Sequence, residues 1–178
     1  MIEKLTIDGF QAHQDLELVF DSGVNTIVGP SDAGKSSVLR ALRWVALNEP
    51  SGDAFIRWGA EKAEVKVKVD GDFIVRTRGA GCNSYDLNTR EFKAFGGTVP
   101  SEVSKLLGVS ELNFQGQYDS PFWLGDAAGQ VSRDLNKVVG LEIIDKVLSK
   151  LASLTKKRVT EVEVIETRLE LARQTARG

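Results

Sequence analysis

Cysteine is almost missing from this chain. One residue of the type, Cys82, in 178 residues excludes an internal disulfide framework and a cysteine-built zinc site. With no histidine near it in sequence, Cys82 reads as an incidental loop thiol in a reducing cytosol. An excess of charge of one sign is also lacking. The 23 basic and 25 acidic residues leave a formal net charge of −2, which exerts no global pull on nucleic acid or an anionic membrane. Any DNA contact must therefore come from a local patch. No apolar stretch approaches the roughly 18 residues of a spanning helix, and the N-terminus runs straight into an alternating strand pattern. The expectation is a soluble, cytoplasmic chain without a membrane partner, long enough for one medium domain or a domain with an appendage.

Against these absences stands one specific motif, Gly29-Pro30-Ser31-Asp32-Ala33-Gly34-Lys35-Ser36. It falls between a run expected to be a short buried strand, Asn25 to Val28, and a helix expected to begin near Lys35. The spacing G-x-x-x-x-G-K-S lets small residues curl consecutive backbone N–H groups around an anion at a helix N-terminus. Lys35 then brings a cation to the β- and γ-phosphates, and the Ser36 hydroxyl is a magnesium ligand. Gly29, Ser31, Ala33, Gly34, Lys35, Ser36 and Ser37 are accordingly the expected ATP-binding residues. In the helix that follows, Val38, Leu42, Val45 and Ala46 share one face.

Strands are expected at Ile2 to Ile7 and Leu16 to Phe20 ahead of the loop. After the helix comes a β-rich stretch in which Val65, Val67 and Val69 alternate with Glu64, Lys66 and Lys68. Asp70-Gly71 supplies a two-residue hairpin turn into Phe73-Ile74-Val75, and further strands are expected at Ser84 to Leu87 and Glu91 to Phe95. The section reads as an antiparallel sheet with one wet face. Pro100 starts a short helix that ends at Gly108. Next, Phe114 to Leu124 concentrates aromatics and amides and reads as a loop with Phe122, Trp123 and Leu124 tucked into the core.

From Asp126 onward the pattern is helical, broken only at Gly129 and Gly140. With Leu141, Leu148, Thr155, Val162 and Leu169 as a positions, the d positions are Ile144, Leu151, Arg158, Ile165 and Ala172. Eight of these ten are apolar, which makes a coiled-coil seam rather than a surface helix. A bare seam needs a covering helix, from the same polypeptide or a second chain. Beside its polar interruption lies the basic cluster Lys156-Lys157-Arg158, which reads either as a solvated face or as a DNA contact.

What a complete triphosphatase would add is not found: no continuous apolar strand ending in carboxylates follows the loop. The L-S-G-G type sequence with which ABC-class ATPases close on a partner's γ-phosphate is missing as well. The chain thus reads as half of a catalytic machine, inactive alone.

A phosphate loop near residue 30, a β-rich stretch, an aromatic-flanked glutamine and the root of a coiled coil resemble the N-terminal lobe of an SMC-like ABC ATPase, of the SbcC type found in double-strand-break repair. Three segments carry the resemblance. Gly9-Phe10-Gln11-Ala12-His13 is similar to the family's aromatic-basic-small-His opening near the nucleotide, with Gln11 where an arginine is common. The phosphate loop is the second, with Ser31-Asp32 in place of the usual Asn-Gly and Asp32 expected to point outward. Gln117-Tyr118-Asp119-Ser120-Pro121-Phe122-Trp123-Leu124 looks like the family's Q-loop, which makes Gln117 a catalytic residue touching magnesium and the attacking water.

The resemblance implies an α/β P-loop NTPase half-head of ABC type, with residues 1–140 as the ATPase lobe and 141–178 as the coiled-coil root. It implies ATP and magnesium as cofactors. The partners it implies are the C-terminal lobe of the same head, a second head in an ATP-sandwiched homodimer, a metal-dependent nuclease subunit and DNA, in a bacterial or phage-infected cell. Rival readings are a self-contained small kinase, the head of an overcoming-lysogenisation-defect nuclease, a chromosome-organising SMC protein and a non-enzymatic nucleotide-binding assembly module.

Overall fold

A computed structural model describes the chain except residues 94–96, 120–122, 139–140 and 176–178. Contact density divides it into two compact units, Met1–Gln115 and Gly116–Gly178.

In the first unit the alternating stretches become β1 (Ile2–Phe10), β2 (His13–Val19), β3 (Lys62–Val69), β4 (Asp72–Gly79), β5 (Cys82–Leu87) and β6 (Arg90–Lys93). They form one sheet of six strands in the order β2-β1-β3-β4-β5-β6, each neighbouring pair antiparallel. The period-2 pattern decides which face is covered. Ala63, Val65, Val67 and Val69 of β3 are buried, while Lys62, Glu64, Lys66 and Lys68 face the other way. Asp70 and Gly71 both take positive φ, 49° and 88°, which makes the tight mirror-image turn that fits the right-handed strand twist. The next hairpin uses Ala80 and Gly81, also at positive φ (50° and 76°), a turn hidden in the sequence because alanine is no turn former. Cys82 therefore opens β5, half-buried, and is not a loop residue.

The covered face packs against α1 (Lys35–Leu47), whose buried residues include Val38, Ala41, Trp44, Val45 and Ala46. Together with Leu5, Ile7, Phe10, Phe55, Val65, Val67, Ile74, Tyr85 and Val103 they make the core. Helix α2 (Ser101–Leu107) follows Pro100 and ends where Gly108 takes a left-handed conformation, with φ 59°, as expected.

One expected element is absent. Residues 25–28 fall in no regular element and pair with no strand among the described residues. Val24 and Val28 are 97% and 83% exposed, and Ile27 is 39% exposed. Asn25 and Thr26 make the run only half apolar, and every pairing in the six-stranded sheet is antiparallel and excludes it.

The second unit contains α3 (Ala128–Val138) and α4 (Glu142–Thr175). At 34 residues, α4 is about 51 Å long from the helical rise. The apolar seam positions Ile144, Leu148, Leu151, Val162, Ile165 and Leu169 are all exposed. Leu124 does not tuck into a core; it is 89% exposed, since its segment lies outside the sheet unit. Phe122 falls outside the described residues.

The far end of α1 is held by a polar-aromatic cluster. Arg76, 2% exposed, lies 4.9 Å from the Trp44 ring centroid and 4.5 Å from that of Tyr85. Its guanidinium donates to the Asn48 and Asn83 side-chain oxygens and to the Thr77 and Ser84 carbonyls. Burial pulls the Arg76 pKa down from its ordinary value, and it pushes the Tyr85 phenol up to about 12. Because the folded protein holds the Tyr85 proton more tightly than the unfolded chain does, this contribution to stability is intact below pH 10. It is lost as pH rises towards about 12. In an alkaline absorbance titration, a phenolate step near pH 12 should be assignable to Tyr85 and should vanish in Tyr85→Phe. A Tyr85 step at the ordinary value near 10 would show that the phenol is not desolvated.

Candidate nucleotide site

Helix α1 opens at Lys35 directly from the glycine-rich loop. Its N-terminus has no side-chain cap and no acid in the first turn. First-turn amides have no intrahelical acceptor, so an uncapped start leaves them for an anion. Gly34, at φ 84°, makes this entry possible. A Cβ there would sit 2.7 Å from His13 Cε1 and 2.9 Å from Ala12 Cβ. The β1–β2 turn, Gln11 and Ala12, therefore presses against the loop, and His13 Nε2 hydrogen-bonds the Gly34 carbonyl at 3.0 Å. A carbonyl only accepts, so this contact puts the imidazole proton on Nε2.

Gly34, Lys35, Ser36 and Ser37 line one cavity of ≈ 250 Å³ together with Ala12, Asp32 and Arg40. Lys35 Nζ donates to the Gly29 and Pro30 carbonyls, at 2.8 and 2.5 Å, and thereby curls the loop around its own cation. Ser37 is buried and its N–H donates to the Gly34 carbonyl at 2.8 Å. Ser31 and Ala33 lie in the exposed loop and are not part of that lining. Asp32 also borders this cavity. Its φ of 61° turns the loop there. A phosphate-sized anion suits this donor set: the backbone amides of Lys35 and Ser36, a lysine amine and a serine hydroxyl. Among the described residues no cluster of three or more His, Cys, Asp or Glu could hold a metal ion.

Gln117 belongs to the second unit, on the exposed tip of a tight turn. Asp119 closes that turn: its carboxylate accepts from the Gly116 N–H at 2.5 Å, and its own N–H reaches the Gly116 carbonyl at 3.3 Å. Ser120, Pro121 and Phe122 of the same motif lie outside the described residues. Lys156, Lys157 and Arg158 are exposed on α4, and Arg158 pairs with Glu161 at 2.7 Å.

Three residues escaped the sequence reading. Arg40 reaches the cavity from the second turn of α1 and donates to Gln11 Oε1 at 3.0 Å. Arg57 ties the following connection to the β1–β2 turn, donating from Nη1 to the Ala12 carbonyl at 2.7 Å. Beside it Trp58 is 99% exposed. Only helical phase could have signalled Arg40, four residues beyond Ser36. Nothing in the local sequence marks Arg57, because its partner lies 45 residues away.

An uncapped helix start behind a glycine-rich loop, on an antiparallel sheet with one covered face, is a phosphate-loop arrangement. The chain belongs to the AAA_23 family of AAA domains, whose profile matches residues 4–174. It is 37% identical over 71 residues to the DNA double-strand break repair Rad50 ATPase of Thermoplasma acidophilum, a match covering 38% of this chain and 8% of that protein. It is 33% identical over 72 residues to the DNA replication and repair protein RecF of Beutenbergia cavernae, covering 38% of this chain and 18% of that one. The chain thus spans less than a fifth of these curated relatives. A solved structure from work on ATP-driven dimerization and DNA-stimulated activation of SMC ATPases superposes with a TM-score of 0.57 at 22% identity, over 78% of this chain and 98% of that one. The likeness is one of fold, and it is that of an SMC-like, Rad50-type N-terminal lobe.

Substituting Gly34→Ala should remove nucleotide binding and destabilise the unit by about 2 kcal/mol or more, since left-handed strain adds to the clash with His13. Thermal melts and an ATP titration check this. An unshifted melt would mean that the turn does not press on the loop.

Proposed function

We propose that this chain is the ATP-binding half of an SMC-like ATPase that couples ATP binding and hydrolysis to DNA binding and to control of a repair or recombination nuclease. The observation that carries the reading is the uncapped start of α1 held behind Gly34 and Lys35, which supplies a triphosphate cradle without the rest of a hydrolytic site. Gln117 takes the role of orienting water and magnesium, Ser36 that of a magnesium ligand. The C-terminal lobe of the same head supplies the acidic strand. The exposed Val24, Ile27 and Val28 support such a lobe, since they offer apolar surface in a segment that pairs with no strand among the described residues. A second head would close over the nucleotide, and the exposed seam of α4 supports a coiled coil that begins near residue 141, after a lobe of residues 1–140.

Two variants separate binding from chemistry. In the head completed by its C-terminal lobe, Lys35→Ala should lose ATP affinity, because the phosphate-paired cation disappears. Gln117→Ala should keep affinity and lose turnover, and the 178-residue chain alone should hydrolyse no ATP. Equal loss of affinity in both variants would remove the catalytic role from Gln117, and turnover by the lone chain would end the half-site reading.

DNA contact, if it uses this chain, must be local, given the net charge of −2. Lys156 and Lys157 make no ion pair among the described residues, whereas the Arg158 charge is shared with Glu161. Replacing all three by alanine in the assembled dimer should lower DNA affinity and flatten the dependence of log affinity on log salt by about one unit of slope per lost contact. Unchanged affinity and slope would leave the cluster as a solvated helix face.

A further inference from the structure

We propose that Arg40 is a second phosphate-contacting cation of the nucleotide site and that Gln11 is the residue that positions it, an inference that rests on the triphosphate reading of the loop. Arg40 is exposed on α1 and lines the same cavity as Lys35, Ser36 and Asp32. Its Nη1 donates to Gln11 Oε1 across 29 residues of sequence, joining the helix to the β1–β2 turn. The choice of acceptor matters. Arg43 pairs with Glu49, Arg78 with Asp53 and Arg158 with Glu161, so those charges are neutralised where they stand. An amide oxygen fixes the direction of the Arg40 guanidinium but leaves its charge uncompensated, and it occupies one of five N–H donors. A held cation with free donors beside a phosphate cradle is arranged for an anionic oxygen of the ligand.

Charge in the cavity points the same way. Asp32 and Lys35 cancel, so without Arg40 the lining would offer a triphosphate no net positive charge. With Arg40 the balance becomes +1, from Lys35 and Arg40 against Asp32. Arg40 thus compensates for an acid in the loop. Gln11 is then the holder of that cation. The orientation of Gln11 is itself prepared: its backbone sits at φ 48°, and its N–H donates to the Phe55 carbonyl at 2.8 Å.

The test is an equilibrium titration of ATP on the full-length head, with Arg40→Ala, Gln11→Ala, their combination, Arg40→Lys and, as a reference, Lys35→Ala. A charge-assisted hydrogen bond to phosphate predicts that Arg40→Ala weakens ATP binding by roughly 10- to 100-fold without shifting the thermal melt. Gln11→Ala should weaken binding less, and only while Arg40 is present, so that the combination is no worse than Arg40→Ala alone. Arg40→Lys should recover part of the loss, and Gln11→Arg with Arg40→Gln should recover most of it. Affinity within twofold of the unaltered head for Arg40→Ala, with Lys35→Ala abolishing binding, would overturn the assignment of Arg40 alone. Simple additivity of the Gln11 and Arg40 losses would overturn the positioning role. Were Lys35→Ala also without effect, the triphosphate reading itself would fall, and this proposal with it.

Discussion

Trp44 is the fixed point of the nucleotide-binding unit. It is 1% exposed near the end of α1, and every element that shapes the site touches it or its neighbours. Phe10, at the end of β1, has its ring 5.5 Å away, and Phe55, from the connection before β3, is 4.6 Å away. Arg76 of β4 lies over the same ring, and Tyr85 of β5 donates its hydroxyl to the Trp44 carbonyl at 3.3 Å. Aromatic clusters of this kind combine large buried area with defined geometry, so they set orientation as well as stability. Anchored in this way at its C-terminal half, α1 can present its N-terminal amides without spending them on a cap.

That arrangement explains why the buried arginine is tolerated. A guanidinium removed from water without a carboxylate is costly unless all its donors are used. Arg76 places them on two asparagine side chains and two strand carbonyls, at the end of α1 where the helix dipole is negative. Phe10 and Phe55, which stack at 5.2 Å, then carry the order from this cluster to the turn at Gln11–Ala12, because Phe10 leads into that turn and the Phe55 carbonyl accepts its Gln11 N–H. The position of His13 against Gly34 follows from the core outward.

Features set by local chemistry were legible in the sequence. The phosphate loop, the Asp70-Gly71 hairpin, the α2 stop at Gly108 and the wet face of β3 each depend on residues within a few positions of one another. The start of α1 at Lys35 was legible for the same reason. Long-range pairing was not. The Ala80-Gly81 turn is forced by the register of β4 on β5, and Arg40 and Arg57 acquire meaning only from partners 29 and 45 residues away. Residues 25–28 failed in a more informative manner. The apolar residues Ile27 and Val28 suggested a strand, but a strand is a relation between segments, and no strand pairs with this one among the described residues.

The unpaired run has an energetic consequence for the site it leads into. Exposed Val24 and Val28 forgo roughly 1.5–3 kcal/mol each of the stabilisation that full burial would give. The phosphate loop is fixed to α1 and the β1–β2 turn through Gly34 and tied to Lys35 through the Gly29 and Pro30 carbonyls, while ahead of Gly29 it continues a segment without sheet partners among the described residues. A partner lobe that pairs with residues 25–28 would order the loop from its second side and reduce the conformational entropy lost when phosphate binds. Linkage then works in both directions. Whatever fraction of assembly free energy appears as tighter ATP binding must reappear, when ATP is present, as tighter assembly. On the proposed reading, the exposed run preceding the loop would thus couple nucleotide binding to completion of the head.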